Sequence, residues 1–561
     1  MVNPVLILAL AALVFIIYSL LPKNQKKLKR LKQEWENGTY FSASEDFESV
    51  SSYWKNKKEH ADNYAGVDSL TWNDLSMQDV FEKLNYTQTS VGSEYLFNQL
   101  RDIDPRCKDV HDKEELYALL ERDQKLREKV LLVLSGLGKR NYTNTSSYFY
   151  EMNAHKIKHA YLYIILAVIP ILSIVFMLFS LKYGVAIITI SFITNLVIYY
   201  RNKKMLEIEL HSITYVAAIV NTGKSLSAIR HPRFNIVANI LKGEGKALGK
   251  TAFWGKVLSI GSNKSGDFDV LLEYFRIIFL LDFIAYNQIV KTIIIHKKAY
   301  KHLWELIGEL DAAVAVAYYR KTLVSYTTPN FVDEEEIRFE DLAHPLLRKP
   351  VTNTSTLGKN VLITGSNASG KSTYIKAIAI NAILAQTINT VLAKSWTMKP
   401  SYIVTSMAIQ DSVLDGDSYF IAEIKSLKRI IKLSEEKKPF ISFVDEILKG
   451  TNTIERISAS AAIMEWLSGS HGMTLIASHD IELTEIAENL YSNYHFRERI
   501  ENDKVLFDYK VHDGPSITRN AIKLLEVLDY PESITSKANQ MAKNFTEVRE
   551  WTGIRDGIKA N

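Results

Sequence analysis

Three short stretches carry residue types able to handle a phosphate chain. The first, Gly365-Ser-Asn-Ala-Ser-Gly370-Lys371-Ser372, fits the spacing G-x-x-x-x-G-K-[ST]. Its glycines let backbone N–H groups curl around phosphate oxygens, and the helix-compatible run TYIKAIAINAILAQ that follows would add the positive end of its dipole. Gly365, Ser366, Asn367, Ala368, Ser369, Gly370, Lys371, Ser372 and Thr373 are therefore the expected nucleotide contacts. Lys371 would reach the β- and γ-phosphates and Ser372 would bind Mg²⁺. The second stretch, PFISFVDE, is an apolar run ending in Asp445 and Glu446. Asp445 would sit over Mg²⁺, directly or through water, and Glu446 would polarise the attacking water. The third, MTLIASH, ends in His479, which can sense the γ-phosphate or orient water. The chemistry expected is ATP hydrolysis, with ATP and Mg²⁺ as cofactors and with Glu446, His479 and Lys371 as the catalytic groups.

The elements around these residues alternate. From about 335 onward the short β-rich runs NVLITG, SYIVTSM, PFISFVDE and MTLIASH are separated by helical stretches, the pattern of an α/β sheet domain. Upstream the texture is helical, in MQDVFEKLNY, in KEELYALLERDQKLREKVLLVL and in LEIELHSITYVAAIVNTGKSLSAI. The glycines of HPRFNIVANILKGEGKALGKT are expected to bend the chain. The apolar run 275–290 contains Asp282, with Asn287 and Gln288 after it, so a buried helix of a soluble region is expected there and not a membrane span.

Two other segments do read as membrane spans. Residues 4–21 are unbroken apolar sequence, about 27 Å long as a helix. Lys23, Lys26, Lys27, Lys29, Arg30 and Lys32 follow, which orients the chain inward. A cleaved signal peptide would carry its charge before the apolar run instead. A second block, 160–200, is too long for one span and divides near Lys182-Tyr183-Gly184. Basic residues flank both ends, so it is expected to be a helical hairpin. Its interior has no acidic or basic residue apart from Lys182, which suits an anchor and not a transport path. The 561 residues carry a net charge of +5 and one cysteine, Cys107, which excludes an intrachain disulfide and a Cys-rich metal site. The expected organisation is an anchor over 1–22, a helical region over 23–159, the hairpin over 160–200, a helical region over 201–334 and an ATPase domain over 335–561. The expected location is the inner (plasma) membrane, with the ATPase domain in the cytoplasm.

The motifs together resemble those of the MutS family of mismatch-repair ATPases. That family's TGPN-type loop is echoed by TGSNASGKSTY, and its DEI–x–x–GT string by Asp445-Glu446-Ile447-Leu448-Lys449-Gly450-Thr451. Its A-T-H–x–x–E-L motif is similar to Ala477-Ser478-His479-Asp480-Ile481-Glu482-Leu483. Its glycine–serine signature resembles Gly416-Asp417-Ser418-Tyr419-Phe420-Ile421-Ala422-Glu423, and AHPLL (343–347) resembles its R-H-P segment. IGELDAAVAVA (307–317) is similar to the long helix before the family's ATPase domain. The resemblance implies an α/β P-loop ATPase domain of ABC type at the C-terminus, preceded by an all-α core and lever region into which three predicted transmembrane helices are built. It also implies a homodimer in which Ser418 contacts, in trans, the γ-phosphate held by the other subunit. DNA is the implied ligand. Departures are Ser366 and Ser369 for the family's usual Pro and Gly, Asp417 for a usual Arg, and no recognisable mismatch-reading domain. The tripeptides FYE (149–151) and FTE (545–547) match that domain's Phe-x-Glu wedge, but neither is assigned a role. Three functions compete: a membrane-anchored ATPase dimer acting on mismatched or branched DNA, an ATP-driven membrane scaffold or clamp acting on a protein partner, and an ABC-type transporter. The last lacks an LSGGQ-type signature.

Overall fold

The computed structural model describes residues 25–38, 45–61, 66–106, 110–151, 154–259, 267–366, 369–407, 419–501, 504–516 and 521–548. The chain forms two compact units, Met1–Tyr64 with Phe81–Arg101 and Asp109–Leu323, and Ala65–Val80 with Asp102–Lys108 and Val324–Asn561.

The first unit is helical throughout its described residues. Its principal helices are α1 (Ser90–Arg101), α2 (Tyr161–Met177), α3 (Leu181–Met205), α4 (Asp267–Ile278), α5 (Leu281–Ile295) and α6 (Lys297–Thr322). The 26-residue α6 contains IGELDAAVAVA, and from Leu310 to Arg320 every side chain is buried. Two of those side chains are charged, Asp311 and Arg320. Asp311 accepts hydrogen bonds from the backbone N–H of Gln88 (2.9 Å) and Thr89 (2.8 Å) and from Thr89 Oγ1 (2.6 Å). The carboxylate thus satisfies orphan donors at the start of α1. Burial still pushes its pKa up to about 6. A Cβ at Gly92 would lie 2.2 Å from Asp311 Oδ2, so only glycine lets α1 approach this closely. The FYE tripeptide lies in this core: Phe149 is buried, with its ring edge-on to Trp304 and Tyr300. The Gly-rich stretch forms helices Asn235–Ala247 and Gly249–Ser259, which break at Leu248.

The expectation of three transmembrane helices needs correction. Residues 1–22 lie outside the described residues. Among the described residues only α3 is long and apolar enough to cross a membrane, while α2 has 17 residues. The turn lies earlier than the expected division. Ser180 is extended (φ −154°) and caps α3, so Lys182, Tyr183 and Gly184 fall in the first turn of a helix. Gly184 serves contact here and not the turn: a Cβ there would lie 2.5 Å from Met177 Cγ. The run 275–290 also differs from expectation. It contains the end of α4 and most of α5, separated by a bend at Leu280 (φ +47°).

The second unit holds β1 (Asn330–Phe331), β2 (Ile337–Leu342), β3 (Asn353–Leu357), β4 (Asn360–Thr364), β5 (Ser395–Met398), β6 (Tyr402–Ser406), β7 (Phe440–Asp445), β8 (Met473–Ser478), β9 (Ser492–His495), β10 (Glu498–Glu501), β11 (Lys504–Phe507) and β12 (His512–Asp513). Its main sheet runs β12-β9-β4-β8-β7-β6, parallel except at the β12 edge. A smaller sheet runs β1-β5-β2-β3. Central strands of a parallel sheet are covered on both faces, which is why β7 and β8 are near-continuous apolar runs. Helices α7 (Lys371–Ile388), α8 (Tyr419–Glu435) and α9 (Thr453–Ser468) follow β4, β6 and β7 in the chain. The Ala- and Ile-rich α7 is buried along most of its length and ends at Asn389 in the left-handed region.

Candidate nucleotide site

Strand register places the three phosphate-handling stretches together. Thr364 at the end of β4 pairs with Ser478 at the end of β8, and Ala477 of β8 pairs with Asp445 at the end of β7. The P-loop, His479 and the acidic pair therefore leave the sheet at one edge, the carboxyl ends of neighbouring parallel strands, where α/β sheets bind ligands.

The loop is built on two strained glycines, Gly365 (φ +145°) and Gly370 (φ +109°). A Cβ at Gly365 would also stand 2.7 Å from the carbonyl oxygen of Phe496. Lys371, largely buried at the start of α7, donates from Nζ to the carbonyls of Gly365 (2.6 Å) and Ser366 (2.9 Å). Burial holds its pKa below the usual lysine range, and nearby Asp445 pulls the other way. Ser366 donates to Glu498 Oε2 at 2.8 Å, a tether for the serine that stands where the family has Pro. Ser369 Oγ is buried with no hydrogen-bond partner in the structure, an orphan that a phosphate oxygen would satisfy. Ser372 and Thr373 sit in the first turn of α7, half-buried and exposed respectively. Asn367, Ala368 and Ser418 lie outside the described residues.

Past Asp445, Glu446 takes φ +66°, a left-handed conformation uncommon for a residue with a side chain. Its own N–H donates to Ala477 O at 2.8 Å, which fixes this turn against β8. The buried carboxylate then lies 2.9 Å from His479 Nδ1 and 2.9 Å from Lys449 Nζ. Burial holds the His479 pKa below its ordinary value, so the ring is neutral at neutral pH. Nδ1 faces Glu446, while Nε2 lies 3.7 Å from Asp480 Oδ1. Asp480 beside it is held by Arg456 through two hydrogen bonds of 2.9 and 2.7 Å. Glu423 of α8, also buried, accepts from the backbone N–H of Lys449 at 3.1 Å and so ties the signature helix to the acidic turn.

Several contributors were not apparent from motifs. A cavity of about 220 Å³ adjoins Gly370 and Thr373, lined among others by His344, Tyr374, Phe496 and Tyr509. Its aromatic walls and its place beside the first turn of α7 suit a purine base. His344 belongs to AHPLL, whose turn is closed by Leu346 N–H donating to His344 Nδ1 at 3.2 Å. The aromatic residues of YHFRERI and FDYK were the available signal for the other wall. Asp74 is a second such residue. Buried, it accepts from Thr405 Oγ1 (2.6 Å) and Met407 N–H (3.0 Å) where β6 runs out toward the signature segment. Arg429 of α8 bonds both Asp68 and the Thr405 carbonyl. The donor set of Ser372 hydroxyl and Asp445 carboxylate suits a hard cation that keeps several of its waters. Among the described residues no cluster of three or more His, Cys, Asp or Glu forms a metal cage.

Comparison with known proteins agrees with this geometry. Residues 361–546 match the family model for MutS domain V. The chain is 31% identical over 293 residues to human "MutS protein homolog 4", and mouse "MutS protein homolog 4" matches at the same identity and length. It is 30% identical over 253 residues to "DNA mismatch repair protein MutS" of Geobacillus sp. (strain WCH70). These matches cover 49%, 49% and 43% of this chain and span 31%, 30% and 29% of the relatives' own lengths. The likeness to MutS domain V is thus confined to residues 361–546, and the chain spans less than a third of the length of the relatives it matches.

Proposed function

We propose that this protein is an ATP hydrolase working as a two-subunit switch, anchored at the cytoplasmic face of the cell membrane and acting on DNA. The observation that carries the reading is the 2.9 Å contact of Glu446 with His479, on the strand edge that also presents Lys371. A carboxylate held by a neutral histidine is a general base that can take a proton from water. Lys371, now bonded to loop carbonyls, turns to the β- and γ-phosphates when these enter the loop. Gly365 and Gly370 leave room for backbone N–H groups to bind the chain, and the N-terminus of α7 adds its dipole. The pocket at His344 and Tyr509 takes the base. Ser372 and Asp445 would hold a Mg²⁺ ion, which when bound would neutralise charge on the phosphate oxygens.

Ser418 of one subunit is read as completing the phosphate site of the other, so that ATP joins two copies and its hydrolysis releases them. DNA is the favoured ligand because a relative in the same family is named for DNA mismatch repair. The membrane reading rests on the α2–α3 hairpin. Ile165, Leu172, Ile174, Ile190, Ile193 and Val197 are each at least half exposed on two packed apolar helices, an unusual amount of apolar surface for a water-facing protein to leave open. Basic residues at 156, 158, 201, 203 and 204 mark its cytoplasmic ends.

The test is ATP turnover by the purified full chain, alone and with homoduplex, mismatched and branched DNA, beside Lys371→Ala. Turnover that depends on Lys371 and changes with DNA is expected. Turnover indifferent to every DNA form would favour the protein-clamp alternative, and turnover that survives Lys371→Ala would remove the site assignment.

A further inference from the structure

The bend between α4 and α5 lies at the depth of the hairpin. Asn195 of α3 is buried and donates from Nδ2 to two carbonyls, Leu166 of α2 (3.1 Å) and Ile278 at the end of α4 (2.7 Å). One turn further along α3, Tyr199 donates its hydroxyl to Asp282 Oδ2 at 2.8 Å, and Arg276 Nε donates to Asp282 Oδ1 at 2.7 Å. Tyr199, Ile277, Leu280 and Phe283 form one buried cluster, with Tyr163, Leu166 and Leu196 of the hairpin packed against it.

These contacts set a level. Asn195 precedes the first basic residue of the flank, Arg201, by six positions, about 9 Å along a helix. Asn195 therefore holds the Ile278 carbonyl inside the boundary that Arg201, Lys203 and Lys204 mark, while Arg276 and Asp282 line a cleft shared with Lys203, Glu207 and His211 at that boundary. On the open side of the bend Tyr274 and Phe275 are each 52% exposed, and the Phe275 and Phe279 rings stack at 5.7 Å. Broken helix is tolerated at membrane depth only where other groups bond its freed backbone and charges are paired. Asn195 bonds the Ile278 carbonyl, and the Asp282 carboxylate is neutralised by Arg276 and Tyr199.

We infer that the α4–α5 bend is a re-entrant element, dipping into the leaflet on the basic side of the hairpin with Tyr274, Phe275 and Phe279 against acyl chains. The inference rests on the anchor reading above. The bilayer is the occupant that fits, because Asn195 and Tyr199 fix the bend to α3, which itself exposes Ile190, Ile193 and Val197. The bend also explains an ion pair inside an apolar run that would otherwise be an unlikely neighbour for lipid.

The test uses the full chain in phosphatidylethanolamine–phosphatidylglycerol vesicles. Cys107→Ser removes the native thiol. Single cysteines then replace Phe275, Ile190 in the hairpin, or Tyr142 as an exposed control, each carrying an environment-sensitive fluorophore. At position 275, quenching by nitroxide-labelled lipid within about twofold of that at 190, with roughly fivefold less iodide quenching than at 142, is expected. Lipid quenching at 190 with iodide quenching at 275 overturns this inference and leaves the anchor standing. Protection at 275 from both quenchers assigns the face to a second protein surface and also overturns it. Iodide quenching at 190 overturns the anchor reading, and this inference with it. Far-UV circular dichroism of each variant confirms that the helices are intact.

Discussion

The Glu446 carboxylate and the Nδ1 of His479 lie 2.9 Å apart, although they leave the sheet from different strands. Glu446 reaches this position through a left-handed backbone that few non-glycine residues adopt, and its own N–H is bonded to β8, the strand that carries His479. The carboxylate and the imidazole are thus fixed to each other by one turn of backbone. The following outcomes are expected.

Glu446→Gln keeps the shape and removes the proton acceptor. Steady-state phosphate release should fall about 10²–10⁴-fold. Binding of a fluorescent ATP analogue should stay near wild type, because the P-loop is untouched. Loss of both together would mean that Glu446 holds the loop and does not act on water.

Lys371→Ala removes the ammonium group and the two bonds to the carbonyls of Gly365 and Ser366. ATP affinity, measured by equilibrium dialysis, should fall by at least about tenfold, since a charge-assisted contact contributes roughly 1.5–3 kcal/mol. Lys371→Arg should not restore it, because the planar fork cannot enter the same gap.

His479 is neutral because burial depresses its pKa below the ordinary 6.5. Turnover should stay level as pH falls through 6.5 and decline only below it. The stability sign is the same: the unfolded chain takes up this proton first, so acidification through the unfolded pKa disfavours the folded state. In a pH–rate series, His479→Gln should lose that acid limb. An unchanged limb would assign it to another group.

Gly92→Ala forces a Cβ into the Asp311 carboxylate and should destabilise the helical unit by about 1–3 kcal/mol. Gly136→Ala, in the helix Gln124–Leu137, meets nothing within 4 Å and should be neutral or stabilising by up to about 1 kcal/mol. Thermal unfolding of the two variants side by side checks both.

Local patterns in the sequence were enough to single out the residues that come together at one sheet edge. A P-loop is eight consecutive residues after an apolar run, and PFISFVDE and MTLIASH became β7 and β8 with their polar ends at one sheet edge. The long helix over 307–317 was legible from its resemblance to the helix before the ATPase domain of the MutS family. What stayed hidden depends on residues far apart in sequence or on backbone choices without a signature. Tyr509 and Phe496 meet His344 only once β2, β9 and β11 are in place. Leu280 in a left-handed bend has no compositional warning, so one helix was expected where two exist. Gly184 looked like a turn residue, yet its missing side chain is needed for helix contact one turn later.

The bond from Thr405 to Asp74 joins residues 331 positions apart, within a single unit. Both ends of that bond must occupy the same aqueous compartment. Any bilayer crossings made by the intervening chain must therefore be even in number. If the α2–α3 hairpin meets lipid, both helices would therefore cross or both would stay on one side, and a topology with α3 as the single crossing between residues 74 and 405 would be incompatible with this hydrogen bond.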